Sequence, residues 1–386
     1  MAVIIFWLSA SLVIYTYSIY ALILYFLSSS RRKRRIADSE HGNSEIQETR
    51  LPNVSMVIAA YNEEKVISDK LENCLAIDYP KDKFEIIVGS DGSSDRTNEI
   101  VSSYEASGVK LINYTDRRGK TSVLNRTIPQ AGGEIVVLSD ANSMYEPDAV
   151  RKLVRHFVYE RIGAVCGKLV LRTRDKKQVE EGLYWKYECV LKSMESDLGA
   201  LLGANGGIYA IRRELFEPIP DGTIVDDFVI AMKVKEKGFD VIYDQEAIAY
   251  EDAAHDVKAE FTRRIRIGAG CFQAIPLTRS LLNPKRGFVA FAYWSHKILR
   301  WNVPFFLIAA FVSNMLLLGN PFYLFLFILQ SLFYTFALIG HVLNRRRSGK
   351  IFSIPYYFGS MNLALLFGFF RFITKTQKVT WKRTER

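Results

Sequence analysis

The chain has 386 residues, 49% hydrophobic and 24% charged, with a formal net charge of +10 and an isoelectric point near 9.2. That apolar content excludes a disordered or low-complexity protein, and the length allows one large domain or two ordinary ones. The basicity is local: residues 31–35 (RRKRR) carry +5, residues 36–284 carry −8 and residues 285–386 carry +13. A mildly acidic body between basic, apolar ends argues against nucleic acid as a partner. Cys74, Cys166, Cys189 and Cys271 have no CxxC or Cys/His spacing. Neither a zinc site nor a disulfide framework is expected, and the thiols read as reduced.

Residues 2–28 are uncharged and long enough to cross a hydrocarbon core of about 30 Å at about 1.5 Å per residue. They lack the basic start and small-residue cleavage site of a signal peptide. With RRKRR directly after, residues 1–30 read as an uncleaved anchor with its N-terminus outside. Residues 31–50 are then a basic linker in the cytoplasm, and the chain is expected to be a multi-pass cell-membrane protein in contact with lipid.

Residues 51–284 alternate strand and helix. VSMVIAA (54–60), FEIIVGS (84–90), VKLINY (109–114) and EIVVLS (134–139) are short apolar runs suited to buried parallel strands. Asn62, with Glu63 and Glu64, marks a helix start after the first strand, Asp95 a second, and a third helix runs from Lys120 to about Gln130. The pattern predicts an α/β fold, a doubly wound, mostly parallel sheet covered on both faces.

Ligands of such sheets bind outside the carboxyl ends of the strands. Those ends carry Tyr61, Asn62, Glu63 and Glu64, then Asp91, then Asp140, Ala141 and Asn142. Neither GxGxxG nor GxxxxGK occurs, which disfavours a nicotinamide fold or a P-loop NTPase. An acidic edge repels a diphosphate unless a hard divalent cation lies between them, so Mg²⁺ or Mn²⁺ with a nucleotide diphosphate is the ligand expected.

After the body, GFVAFAYWSHKILRW within residues 285–302 mixes Trp294, Lys297, Arg300 and Trp301 with apolar residues, as an interfacial amphipathic helix does. Residues 303–343 hold two apolar runs joined at Gly319, Asn320 and Pro321, a transmembrane hairpin. Residues 344–386 contain a fourth apolar segment, 351–370, between two basic runs. Its length fits a crossing and its flanks fit a re-entrant segment, so both remain open.

Six motifs in order, PNVSMVIAAYNEE, VGSDGSSDRT, DRRGKTSVLN, LSDAN, GANGGIYAIRRELF and TIVDDF, resemble the inverting family 2 glycosyltransferases of GT-A fold, over roughly residues 50–345. The flanking apolar segments resemble the membrane-bound branch that includes hyaluronan, chitin, cellulose and poly-N-acetylglucosamine synthases. The resemblance implies metal-dependent sugar transfer from a nucleotide-sugar, UDP-linked in that branch, to a glycan or lipid-linked acceptor in exopolysaccharide or cell-envelope synthesis.

By position, the resemblance assigns Ala60, Tyr61, Glu63 and Asp91 to the nucleotide and Lys120 to its phosphates, with Asp140 and Asn142 as metal ligands. The family usually has a second Asp where this chain has Asn142. Asp227, preceded by Asp226, matches the base that deprotonates the acceptor hydroxyl. Gly203, Asn205 and Gly206 would face the acceptor, since absent side chains allow close approach. Where processive members carry QxxRW, this chain has Arg263, Arg266 and Ile267. The arginines would clamp diphosphate, and the aromatic acceptor platform is missing from that place.

Taken singly, each cluster has a plain structural reading. Asn62 to Glu64 form an ordinary helix start, Asp91-Gly a turn, and Asp226-Asp227 a favourable first helical turn. The joint order carries the functional reading. A nucleotidyltransferase on a related α/β fold and a non-catalytic membrane scaffold are the competing readings.

Overall fold

A computed structural model describes residues 1–39, 51–172, 183–252, 257–343 and 350–377. The chain forms two compact units, a helical one (residues 1–23, 256–273 and 291–377) and an α/β one built mainly from residues 24–255 and 274–290.

The α/β unit holds an eight-stranded sheet. Its strands are β1 (Val54–Ala60), β2 (Phe84–Asp91), β3 (Val109–Tyr114), β4 (Ile135–Asp140), β5 (Met144–Tyr145), β6 (Ile162–Arg172), β7 (Tyr209–Arg212) and β8 (Asp240–Asp252). They lie in the order β3-β2-β1-β4-β7-β6-β8-β5. The four strands legible in the sequence form one parallel block, β3-β2-β1-β4. Every residue of β1 is buried, as an inner strand covered on both faces requires. β7 then runs antiparallel to β4 and β6, while β6 and β8 are parallel to each other. The fold is the expected mostly parallel α/β sheet, with an antiparallel insertion after β4.

Register places the chemistry. Ala60 pairs with Ser90 and Ala59 with Asp140, so the carboxyl ends of β1, β2 and β4 finish level with one another. Leu138 pairs with Tyr209 in the antiparallel β4/β7 ladder. The glycine-rich loop that leads into β7 therefore enters beside the end of β4.

One local expectation shifts. The helix after β1 spans Ile67–Leu75 and does not begin at Asn62, whose φ of 54° is left-handed. Asn62 Oδ1 instead accepts from the Ser94 amide at 2.8 Å, and the Glu63 and Glu64 amides donate to Thr97 Oγ1 and Asp95 Oδ2. These groups join the turns after β1 and β2, so they do not cap a helix.

Among the described residues, four helices are long and apolar enough to cross a membrane: Ala2–Ser30, Phe288–Met315, Pro321–Val342 and Ile351–Ile373. The stretch expected at the headgroup layer has no break after it, because from Phe288 it continues through a π-helical segment, Tyr293–Ile298, into Leu299–Met315. The last helix, Lys350–Ile373, runs unbroken over 24 residues. Phe325, Ile328 and Leu332 on Pro321–Val342 are exposed, an apolar exterior that suits lipid.

Candidate active site

The strand ends are cross-linked by the loop after β3. Asp91, 2% exposed, accepts the Arg118 and Gly119 amides, each at 2.8 Å, one on each carboxylate oxygen. Burial raises its pKa, and those two amides partly offset the rise. One residue earlier in the loop, the Arg117 guanidinium lies 3.8 Å from the centroid of the Tyr61 ring. Tyr61 and Asp91 are thus drawn together by residues 117–119, with Ala60 directly before Tyr61 at the end of β1.

Lys120 follows at the start of the Lys120–Thr127 helix. Its Nζ donates to Asp140 Oδ1 at 2.7 Å and lies 3.3 Å from Asp226 Oδ2. Burial alone would lower its pKa, but the Asp140 and Asp226 carboxylates more than offset that and hold it above its ordinary value. The lysine stays charged and ties the third sequence motif to the fourth and sixth.

Asp226 and Asp227 open the Asp226–Glu236 helix, where carboxylates complement the helix dipole. Asp227 Oδ1 accepts from the Phe228 amide at 2.8 Å. Burial, then the neighbouring Asp226 carboxylate, push its pKa up to about 6, against the opposing pull of Lys120. A β-carbon at Gly206 would stand 3.2 Å from Asp227 Oδ2 and 3.7 Å from Asp140 Oδ2. Gly206 therefore lies against both carboxylates, and only glycine leaves that space open. Gly203, at φ +92°, needs glycine for its backbone and because a β-carbon would stand 2.7 Å from Phe228 Cδ2. Asn205 is otherwise engaged: its Nδ2 donates to the Gly167 carbonyl at 2.7 Å and its Oδ1 accepts from Lys192. It shapes the loop from within.

Asn142 Nδ2 donates to Glu251 Oε1 at 2.8 Å, which turns the amide nitrogen toward Glu251. Among the described residues no group of three or more His, Cys, Asp and Glu side chains is placed to hold a metal. Asp140 and Asn142 supply two hard oxygen donors. That donor set fits a divalent ion which takes its remaining ligands from a diphosphate and water, the habit of Mg²⁺ and Mn²⁺ at nucleotide sites.

Residues 55–219 match the model of glycosyl transferase family 2. The chain carries a family 2 glycosyltransferase domain. "Probable glycosyltransferase YdaM" of Bacillus subtilis is 29% identical over 235 residues, covering 57% of this chain and 55% of that protein. "Poly-beta-1,6-N-acetyl-D-glucosamine synthase" of Staphylococcus epidermidis is 25% identical over 263 residues, 66% of this chain and 62% of that protein. The chain thus spans between half and two thirds of the length of these curated relatives. Among solved structures, a Pyrobaculum calidifontis mannosyltransferase in complex with GDP-Man and Mn²⁺ aligns with a TM-score of 0.67 at 22% identity, covering 92% of this chain and 98% of that one. The likeness identifies the fold as GT-A.

The two arginines assigned to the donor are not part of the glycosyltransferase domain's sheet edge in sequence or unit. Arg263 and Arg266 lie on the Val257–Leu277 helix, within the helical unit. Arg263 pairs with Glu260 at 2.9 Å, and Arg264 joins Glu260 at 2.8 Å and Tyr357 Oη at 3.2 Å. Burial would raise the Glu260 carboxyl, and the two arginines bring it below its ordinary value.

Three residues of the candidate site escaped the sequence reading, Arg117 on Tyr61, Glu251 on Asn142 and Lys70 beneath β4, and so did the pairing of Asp226 with Lys120. Arg117 stood inside a motif already singled out. Lys70 left a trace too, since Ile67, Lys70, Leu71 and Cys74 have the spacing of one buried helical face. A lysine on such a face needs an explanation.

Proposed function

We propose that the chain transfers a sugar, with inversion, from a nucleotide diphosphate sugar to a hydroxyl of a glycan or lipid-linked acceptor at the cytoplasmic face of a membrane. The observation that carries this reading is the convergence of Asp227, Asp140 and Lys120 around the open face of Gly206. Asp227 is the base, with a pKa near 6 that leaves it ionised at neutral pH yet basic enough to take a proton. Gly206 leaves room for the acceptor hydroxyl beside Asp227 Oδ2. Lys120 offers its charge to the departing diphosphate, and Tyr61 with Arg117 and Ala60 shapes the nucleotide end. Asp140 and the Asn142 amide oxygen would hold Mg²⁺ or Mn²⁺, which neutralises charge on the leaving group. Glu63 supports the base pocket through the turn after β1.

The poly-N-acetylglucosamine synthase relatives support a polysaccharide product. The fold neighbour in complex with GDP-Man and Mn²⁺ supports a divalent ion and brings GDP-linked donors into the test. The experiment incubates membranes containing the protein with labelled UDP- and GDP-sugars and Mg²⁺ or Mn²⁺, then sizes the products. Release of the nucleoside diphosphate with labelled glycan is the expected result. Release of pyrophosphate from a nucleoside triphosphate would replace this reading with nucleotidyl transfer.

A further inference from the structure

The buried face of the Ile67–Leu75 helix carries a charged residue among apolar ones: Lys70 is 0% exposed, between Ile67, Leu71 and Cys74. An ammonium removed from water is costly unless every donor is used, and an apolar side chain of similar size often gives equal or better stability. Lys70 Nζ donates to Ser139 Oγ at 2.8 Å and to the Ser143 carbonyl, and it lies 4.4 Å from the centroid of the Tyr145 ring. Asn73, one turn further on, makes a reciprocal pair with Tyr145: its Nδ2 donates to the Tyr145 carbonyl at 2.9 Å and its Oδ1 accepts the Tyr145 amide at 2.8 Å.

The segment gripped in this way, Ser139 to Tyr145, contains Asp140 and Asn142. Lys70 holds the residue before Asp140 and the residue after Asn142, so the two oxygen donors sit on a turn fixed at both ends. Ser139 Oγ also lies 3.4 Å from the Gly207 carbonyl, which extends the hold to the loop bearing Gly206. Neither Lys70 nor Asn73 belongs to a motif of the family resemblance.

We propose that Lys70 and Asn73 are positioning residues, which mould the Asp140–Asn142 turn into the geometry that binds a divalent cation together with a nucleotide diphosphate. This rests on the sugar-transfer reading of the same site. It also has a sign that a purely electrostatic role would not share. An ammonium beneath the turn repels a second cation, so if its charge were what mattered, removing it would tighten metal binding. Positioning requires the reverse.

The test is an electron paramagnetic resonance titration of Mn²⁺ into the full-length protein in detergent, with UDP or GDP present, alongside thermal unfolding of each sample. Lys70→Met is expected to weaken Mn²⁺ binding about tenfold or more at temperatures where it is folded, the range seen when residues that orient metal ligands are removed. Asn73→Ala, at a half-buried site, should weaken it about threefold, the worth of one or two hydrogen bonds, with little change in unfolding temperature. Lys235→Met is the control: this buried lysine donates to the Gly199 carbonyl at 2.9 Å, and its replacement should leave Mn²⁺ affinity as in the wild type whatever it does to the unfolding temperature. Wild-type or tighter Mn²⁺ binding by folded Lys70→Met overturns the proposal. If that variant does not fold, the same result for Asn73→Ala does. A wild-type protein that binds Mn²⁺ with neither nucleotide overturns the sugar-transfer reading itself, and this inference with it.

Discussion

Lys120 Nζ and Asp140 Oδ1 stand 2.7 Å apart, an ion pair between the helix after β3 and the end of β4. The pair gives Asp140 a cationic partner and, in the proposed reading, sets Lys120 beside the diphosphate. Lys120→Met should weaken nucleotide diphosphate binding by about 10- to 100-fold, the worth of a charge-assisted hydrogen bond. Calorimetric titration of UDP and GDP in the presence of Mn²⁺ measures this.

Asp227→Asn keeps the oxygen that accepts from the Phe228 amide but cannot take a proton. Sugar transfer should fall by about 10²- to 10⁴-fold, the usual contribution of a general base, with nucleotide affinity near that of the wild type. Initial rates with the preferred labelled donor, set beside binding isotherms, separate the two effects. Full activity in this variant would remove Asp227 from the mechanism.

The pH dependence follows from the same carboxyl. With a pKa of about 6, Asp227 loses its basic form as pH falls, so kcat/KM should drop about tenfold per unit below pH 6. The stability effect has the opposite sign. The folded pKa lies above the ordinary 3.8, so the ionised group destabilises the fold at neutral pH, and that penalty fades as pH falls through 6. Asp227→Asn should therefore unfold at a higher temperature than the wild type at pH 7.5, and the gap should narrow at pH 5.

Gly203 and Gly206 predict different failures. Alanine at 203 meets both a left-handed φ and Phe228 Cδ2 at 2.7 Å, and should cost more than about 1 kcal/mol of stability. Alanine at 206 meets Asp227 Oδ2 at 3.2 Å, which shifts the carboxylate and narrows the space beside it. It should lower kcat while the unfolding temperature holds. Thermal melts and steady-state kinetics on both variants give the comparison.

Restoring the family's usual aspartate, Asn142→Asp, should not tighten metal binding by itself. The new carboxylate would face Glu251, now the acceptor of the Asn142 amide at 2.8 Å, and like charges repel. Adding Glu251→Gln should release the gain. Mn²⁺ affinity across the four proteins of this double-mutant cycle should be strongly non-additive.

The parallel block was legible because β1 to β4 are continuous apolar runs with punctuated helices between them, the pattern of strands buried on both faces. β6 and β8 were not. Strands of 11 and 13 residues mix Lys168, Asp244, Gln245 and Glu246 with apolar positions, and their pairing crosses 78 positions of chain between Ile162 and Asp240, beyond any local signal. At the site, Asp91, Lys120, Asp140 and Asp227 announced themselves as strand-end or helix-start polar residues. Their partners were set by register: Asp226 meets Lys120 and Glu251 meets Asn142 only because β4 lies beside β7 and β8 returns past the end of β4. Asn62, Glu63 and Glu64 read as a helix start, but the neighbouring turn supplies competing partners: the Ser94 amide for Asn62, and Thr97 and Asp95 as acceptors for the Glu63 and Glu64 amides.

Asp91 has a kinetic consequence. With both of its oxygens committed to the Arg118 and Gly119 amides, the loop that carries Arg117 and Lys120 is already in place in the free protein. A nucleotide arriving at this edge need not wait for that loop to order, so its association rate should be set by diffusion and charge steering and depend steeply on ionic strength. Cutting the tether with Asp91→Ala would change the rate law: association would slow, lose part of its salt dependence, and become limited by a folding step of the loop itself.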